Sequence, residues 1–146
     1  YGWTNIQAAL ALAQLRRINE LIYYKKWLFD EYQKRLSTVP NLKLSPSTDN
    51  VDHTYWITTA LLKNYGIKKE DFKVMLDEHT IDMRPLFYPL SAMPPFKNYV
   101  NKNMRDENPI TYELSDYGIC LPNGNNLSED DIDYICYHFK NALGVS

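Results

Sequence analysis

Residues 4–36 carry an apolar repeat of about 3.6 residues, which is the period of an amphipathic helix. The segment opens with TNIQ, a capping box in which Thr4 and Gln7 exchange hydrogen bonds between side chain and backbone. The repeat predicts about 30 residues of helix, bent near Arg16–Arg17 where the apolar stripe shifts. A helix of that length runs about 45 Å, which is longer than one small core can cover. We therefore expect part of it to pack on another domain or subunit.

Three strand-like patterns follow the helix. Residues 53–62, HTYWITTALL, are β-branched and aromatic with bulky residues on both faces, which predicts a central strand. A second strand is predicted from residue 80, leaving its sheet at Pro85 because proline has no N–H to donate. A brief third strand is predicted at residues 119–121, after a polar, mobile excursion over residues 96–109.

Helical patterns alternate with these strands. Residues 68–79 and about 109–117 predict short helices, and residues 128–144 predict a longer one with Ser128 as its cap. The predicted inward residues of the first are Phe72, Met75, Leu76 and His79, and those of the last are Ile132, Ile135, Cys136, Phe139 and Leu143. This order predicts an α/β (α+β) fold in which a small sheet is covered by helices.

Composition excludes several classes of function. A chain of 146 residues, 45% apolar and 23% charged, has the composition of a globular protein, and its apolar runs are too short for a membrane helix. A net charge of −2 without a basic stripe predicts that nucleic acid is not a partner. Cys120 and Cys136 predict reduced, buried thiols in a soluble, cytoplasmic protein rather than a disulfide framework.

The sequence offers no motif for metal or covalent chemistry. His53, His79 and His138 are far apart, and no cysteine or carboxylate joins any of them at ligand spacing, so we expect no metal site. A serine elbow and a glycine-rich phosphate loop are also absent from the sequence. The motifs alone therefore indicate none of these chemistries.

One connector is unusual, because the segment RPLFYPLSAMPPF at residues 84–96 contains four prolines. Arg84 stands directly before a proline, where its guanidinium has a defined position for binding a carboxylate or phosphate. Phe87 and Tyr88 follow on a stiff backbone, as the lining of a ligand pocket requires. Alternatively, Arg84 forms an internal ion pair and the aromatic residues fill the core. The sequence pattern leaves both interpretations open.

Four segments, in this order, resemble one enzyme family: TNIQAALALAQLRRINELI, HTYWITTALL, TIDMRPLFYPLSAMPPF and GICLPNGNNLSEDDIDYI. They are similar to the C-terminal part of the DegT/DnrJ/EryC1/StrS sugar-nucleotide aminotransferases, which are fold-type-I enzymes that use pyridoxal 5'-phosphate. The sequence of the proline-rich segment is most similar to that of the perosamine-forming members, which act on GDP-4-keto-6-deoxy sugars.

The resemblance implies an organisation for the chain. Residues 1–37 correspond to a long helix that links to a large N-terminal domain, and residues 38–146 correspond to the small C-terminal domain. The large domain carries the lysine that forms the Schiff base with the cofactor, so the 146 residues alone are expected to be inactive. Tyr1 matches a tyrosine of the family stretch G-Y-N-Y-R-M and is a weak candidate for cofactor contact, whereas Gly2 and Trp3 depart from that stretch.

The resemblance also implies a reaction: glutamate supplies an amino group that is transferred to the 4-keto carbon of a nucleotide-linked sugar such as GDP-4-keto-6-deoxymannose. In that reaction Arg84 would recognise an anionic group, and Phe87 and Tyr88 would contact the sugar or nucleotide. His53 and Trp56 are further candidates for substrate binding. Family members are generally homodimers. Two alternatives remain open, a pyridoxal-phosphate sugar 3-dehydratase of the same fold and a free-standing binding or assembly module.

Overall fold

The chain begins with two helices rather than one. The computed structural model describes residues 2–145, with α1 over Asn5–Leu15 and α2 over Ile18–Leu36. The predicted capping box is confirmed, since the Gln7 N–H donates to Thr4 Oγ1 (3.4 Å) and the Thr4 N–H donates to Gln7 Oε1 (2.9 Å). The helix predicted over residues 4–36 is divided by a turn at Arg16–Arg17, the position at which a bend was expected.

A four-stranded antiparallel sheet has the order β1-β2-β4-β3. Its strands are β1 Lys43–Leu44, β2 Thr59–Leu61, β3 Arg84–Pro85 and β4 Gly118–Cys120. The central position of β2 confirms the prediction, but the strand is much shorter than residues 53–62. Tyr55 adopts a left-handed φ of 48°, and this turn keeps the residues before it out of the ladder.

β3 corrects the prediction that the chain leaves the sheet at Pro85. Pro85 lies within the strand opposite Ile119, and the Leu86 N–H still donates to the Gly118 carbonyl at 2.9 Å. Because hydrogen-bonding direction alternates along a strand, the Pro85 nitrogen faces the free edge, where no donor is needed.

Helices cover one face of the sheet. These are α2 together with α3 over Lys69–Asp77 and α6 over Glu129–Ala142, and a further helix, α5, spans Pro109–Tyr117. Within the core, the rings of Phe72 and Phe139 meet edge to face at 5.0 Å between centroids. The predicted stripe of α6 is confirmed as buried, namely Ile132, Ile135, Cys136, Phe139 and Leu143. The mixed α/β prediction, a small sheet covered by helices, is confirmed.

Two predictions about surface segments need correction. Met75 is 41% exposed, and His79 lies beyond the end of α3 and is exposed, so only Phe72 and Leu76 form the inward stripe of that helix. Residues 96–109, expected as an irregular excursion, contain part of the 3-10 helix Pro94–Tyr99 and the short helix α4, Met104–Glu107. Local bonds support these turns, as the Asn103 N–H donates to Asn101 Oδ1 at 2.7 Å.

The opposite face of the sheet is the outer face. Thr59 and Arg84 both stand opposite Cys120 in the ladder, so these side chains form one row across three strands. Ala60 and Ile119, one position away, point to the core and are 2% and 0% exposed. None of the helices within residues 2–145 has the length and apolarity to cross a membrane.

Candidate functional site

A cavity of ≈ 590 Å³ opens on the outer face of the sheet; we call it the outer-face cavity. Its floor is the row formed by Arg84 and Cys120, and its rim comes from the turns on either side. The lining residues are Trp56, Ile57, Asp82, Arg84, Pro85, Phe87, Cys120, Leu121, Pro122, Asn123, Gly124, Asn126 and Leu127. The fold thus brings together three predicted site residues, Trp56, Arg84 and Phe87, from two separate segments.

Arg84 projects from the edge strand β3 into solvent. Its side chain is 73% exposed, and its guanidinium donates to Asp82 Oδ2 at 2.8 Å. Arg84 therefore forms an ion pair within the chain, as the alternative interpretation expected, but the carboxylate of Asp82 is itself 62% exposed, so the pair is a surface contact. A guanidinium has five N–H donors, which leaves most of them available for an anionic ligand.

A strained turn presents Trp56 at the rim. The Tyr55 ring stacks on Phe29 at 3.7 Å between centroids with an interplanar angle of 8°, and Asn123 Nδ2 donates to the Trp56 carbonyl at 2.6 Å. These contacts hold the left-handed backbone of Tyr55, a conformation that persists only where the surroundings fix it. The indole of Trp56 remains 70% exposed. The backbone of Trp56 is therefore fixed, while its large apolar ring stays exposed.

The adjacent aromatic residues Phe87 and Tyr88 of the proline-rich segment point in different directions. Phe87 is 69% exposed and lines the outer-face cavity. Tyr88 lies on the other side of the backbone, where its ring covers the Lys69 ammonium at 3.8 Å and its hydroxyl donates to Glu70 Oε1 at 3.4 Å. Tyr88 does not line the cavity, so the structure separates two residues that the sequence grouped together.

His53 supports the turn rather than the cavity. Its Nδ1 accepts a hydrogen bond from the Tyr55 N–H at 2.8 Å, and its ring stacks on Tyr55 at 4.3 Å. A neutral His53 consequently carries its proton on Nε2. The remaining candidate, Tyr1, lies outside the residues that the structure describes.

Asn123 is a site residue that the sequence pattern did not single out. Besides bonding the Trp56 carbonyl, it receives a hydrogen bond from Lys25 on its own backbone carbonyl. Its Oδ1 is buried and has no hydrogen-bond partner within residues 2–145. Pattern analysis does not detect such a residue, because an asparagine that crosslinks distant segments leaves no periodic signal in the sequence. Cys120 is buried as predicted, and burial raises the pKa of its thiol.

No lysine lines the outer-face cavity. Within residues 2–145, no group of three or more ligating side chains has the geometry to hold a metal ion. The fold does join two histidines that are distant in sequence, since the rings of His79 and His138 stack at 3.8 Å between centroids.

This histidine pair predicts a dependence of stability on pH. Burial and the neighbouring His79 both lower the pKa of His138. The unfolded chain then binds a proton more readily than the folded chain, so stability falls as the pH is lowered through about 6.5. Urea unfolding from about pH 8 to pH 5 should show a declining midpoint that is less steep in His138→Gln. An identical decline in that variant would contradict this assignment.

Comparisons with known proteins identify the family to which this chain is similar. Residues 1–140 match the model of the DegT/DnrJ/EryC1/StrS aminotransferase family. The chain is 32% identical over 136 residues to the GDP-perosamine synthase of Escherichia coli O157:H7, covering 93% of this chain and 35% of that protein. It is 28% identical over 142 residues to the GDP-perosamine synthase of Vibrio cholerae, covering 97% of this chain and 38% of that protein.

Solved structures show the same fold. The sugar aminotransferase Spr1654 from Streptococcus pneumoniae, in its PLP-form, superposes with a TM-score of 0.86 at 23% identity, covering 98% of this chain and 36% of that one. DesI, in the presence of its TDP-sugar product, gives a TM-score of 0.82 at 18% identity, with 94% and 35% coverage. The chain thus spans little more than a third of the relatives it matches. It belongs to the DegT/DnrJ/EryC1/StrS aminotransferase family.

Proposed function

We propose that this chain is the C-terminal part of a pyridoxal-phosphate-dependent aminotransferase that transfers an amino group from glutamate to the 4-keto carbon of a nucleotide-linked deoxy sugar. The substrate is of the GDP-4-keto-6-deoxymannose type, in keeping with relatives described as GDP-perosamine synthases. The observation that carries the proposal is the outer-face cavity, whose lining combines an exposed guanidinium with two exposed aromatic rings.

The chemistry of the cavity suits a sugar nucleotide. Arg84 supplies N–H donors for a phosphate or carboxylate, whereas Trp56 and Phe87 supply flat apolar surfaces for a base or a sugar ring. Bound pyridoxal phosphate would act as the electron sink for the transfer. By resemblance to the family, we assign its covalent attachment to a lysine outside this chain. The residues described here would orient the substrate and exclude water.

We further propose that residues 1–37 link this small domain, residues 38–146, to a larger one in a cytoplasmic homodimer. Helix α1 contributes no buried residue, and its large apolar side chains are exposed: Ile6 76%, Leu10 65%, Leu12 49% and Leu15 65%. Exposed apolar surface of this extent on one helix marks a contact with another protein surface. We propose that the rest of the polypeptide and the second subunit of the homodimer cover the apolar side chains of α1.

The complete protein provides the test. Purified with pyridoxal phosphate, it should absorb near the edge of the visible range, and glutamate should change that spectrum because the amino group moves to the cofactor. The 146 residues alone should show neither the spectrum nor turnover. Added keto sugar nucleotide should then yield an amino sugar.

Other outcomes have distinct meanings. Release of a dehydrated keto sugar, with histidine in place of the upstream lysine, would assign the protein to the sugar 3-dehydratases. A colourless complete protein would favour a binding or assembly module. Turnover by the 146 residues alone would contradict the assignment of the Schiff-base lysine to another part of the polypeptide.

A further inference from the structure

Lys69 is a buried cation without a carboxylate partner. It is the first residue of α3 and is 2% exposed, yet it takes part in none of the ion pairs within residues 2–145. The positive end of a helix dipole is an unfavourable place for an ammonium group, and burial adds a desolvation cost. Burial accordingly lowers the pKa of Lys69. If position 69 served only to fill the core, an apolar residue would be more stabilising there than a lysine.

The contacts of the Lys69 ammonium converge on the proline-rich segment. Its Nζ donates to the Leu86 carbonyl at 3.2 Å and to Ser115 Oγ at 3.4 Å, and it lies 3.8 Å from the centroid of the Tyr88 ring. Two of these three partners are the residues on either side of Phe87. The Leu86 carbonyl belongs to the peptide bond that begins Phe87 itself.

We propose that Lys69 is a positioning residue that fixes the peptide of residues 86–88 and thereby directs the Phe87 ring into the outer-face cavity. Because the ammonium holds the backbone and Tyr88 on one side, Phe87 is left on the opposite side, where it is 69% exposed. The effect on substrate binding rests on the proposed function, whereas the effect on the orientation of Phe87 does not.

Lys68 offers a matched control. It is adjacent in sequence, but it is exposed, bonds Asp116 Oδ2 at 3.2 Å and lies over the Tyr117 ring at 4.2 Å. None of these contacts reaches residues 86–88. Lys68→Met therefore makes the same chemical change without releasing the segment.

The test compares Lys69→Met and Lys68→Met in the complete protein, with 4-fluorophenylalanine at position 87. In Lys69→Met we expect the fluorine resonance to shift and broaden, and the Michaelis constant for the sugar nucleotide to rise about tenfold, because the Phe87 ring is no longer held in its binding position. Cofactor loading and the glutamate half-reaction should stay unchanged. The thermal midpoint should hold or rise, because an uncompensated charge is removed. Lys68→Met should resemble the parent protein in all of these.

Each other outcome is informative. An unaltered fluorine resonance in Lys69→Met overturns the proposal, and so does a lowered thermal midpoint accompanied by loss of cofactor, which would indicate a purely structural role. If the parent protein does not turn over the sugar nucleotide, the proposed function fails and the fluorine resonance still tests Lys69. Should Lys69→Met not fold, Tyr88→Leu, which removes the ring that Lys69 contacts, must shift the same resonance for the proposal to stand.

Discussion

Replacing Phe139 with alanine is expected to lower the free energy of unfolding of the chain by about 3–5 kcal/mol. The Phe139 side chain is fully buried in α6, and its ring meets Phe72 of α3 edge to face at 5.0 Å. Truncation removes the ring–ring contact between the two helices. It also leaves a cavity, because the close-packed residues around it can relax only partly into the empty space. The total stability of a small domain is only about 5–15 kcal/mol, so the loss should be plain in equilibrium urea unfolding.

The same substitution at Phe87 provides the matched comparison. Phe87 is 69% exposed, so Phe87→Ala should change the unfolding free energy by no more than about 0.5 kcal/mol. The pair of variants separates the two interpretations of the proline-rich segment. If Phe87→Ala destabilised the chain as strongly as Phe139→Ala, the aromatic residue would be part of the core and the outer-face cavity would lose its rim.

Elements with a strong local signal could be predicted from the sequence. The α6 helix has a capping box, in which the Ser128 N–H donates to Asp131 Oδ2 at 2.8 Å. Its regular apolar stripe from Ile132 to Leu143 is buried as expected. The capping box of α1 is likewise as predicted. In these helices local propensity and tertiary packing favour the same structure, so the periodic pattern is sufficient.

The central strand shows where a local signal fails. Residues 53–62 have strand propensity throughout, yet only Thr59–Leu61 pair in the sheet. The earlier residues form a turn held by Phe29 and Asn123, which are distant in sequence. Contacts of this kind outweigh a β-propensity that spans only about 1 kcal/mol. Such long-range contacts leave no periodic pattern in the sequence, so they could not be predicted from it.

Contacts between distant residues also explain why the sequence predicted the candidate site only in part. The sequence identified Trp56, Arg84 and Phe87 as residues of chemical interest, but their meeting at one cavity depends on the order of β2, β4 and β3. Tyr88 was grouped with Phe87 because adjacent residues look equivalent in a proline-rich segment. Neighbouring side chains of an extended backbone point to opposite sides, and the Lys69 ammonium provides a partner on only one of them.

Arg84→Gln in the complete protein is expected to weaken sugar-nucleotide binding by about tenfold to a hundredfold, the cost of losing charge-assisted hydrogen bonds to an anionic group. Glutamine keeps a polar side chain, but it is shorter, carries no charge and cannot form the bidentate contact with an anionic group. Cofactor content should not change, because attachment of the cofactor is assigned to another part of the polypeptide. Stability should also be nearly unaffected, since the pair with Asp82 is exposed.

Two further variants distinguish a ligand contact from a structural ion pair. Arg105→Gln breaks a comparable exposed pair, Arg105 with Asp116 at 2.9 Å, at a site that does not line the cavity, and should leave binding unchanged. Asp82→Asn removes the carboxylate that competes for the Arg84 guanidinium and should leave binding unchanged or tighter. Weakening by Asp82→Asn equal to that by Arg84→Gln would mean that the ion pair, and not the free guanidinium, matters.

The dissociation constant of the keto sugar nucleotide, measured by calorimetry for the complete protein and for Arg84→Gln, tests most directly whether the outer-face cavity binds substrate. The account predicts weaker binding in Arg84→Gln by at least about tenfold, with the cofactor still in place. Equal dissociation constants in the two proteins would contradict it.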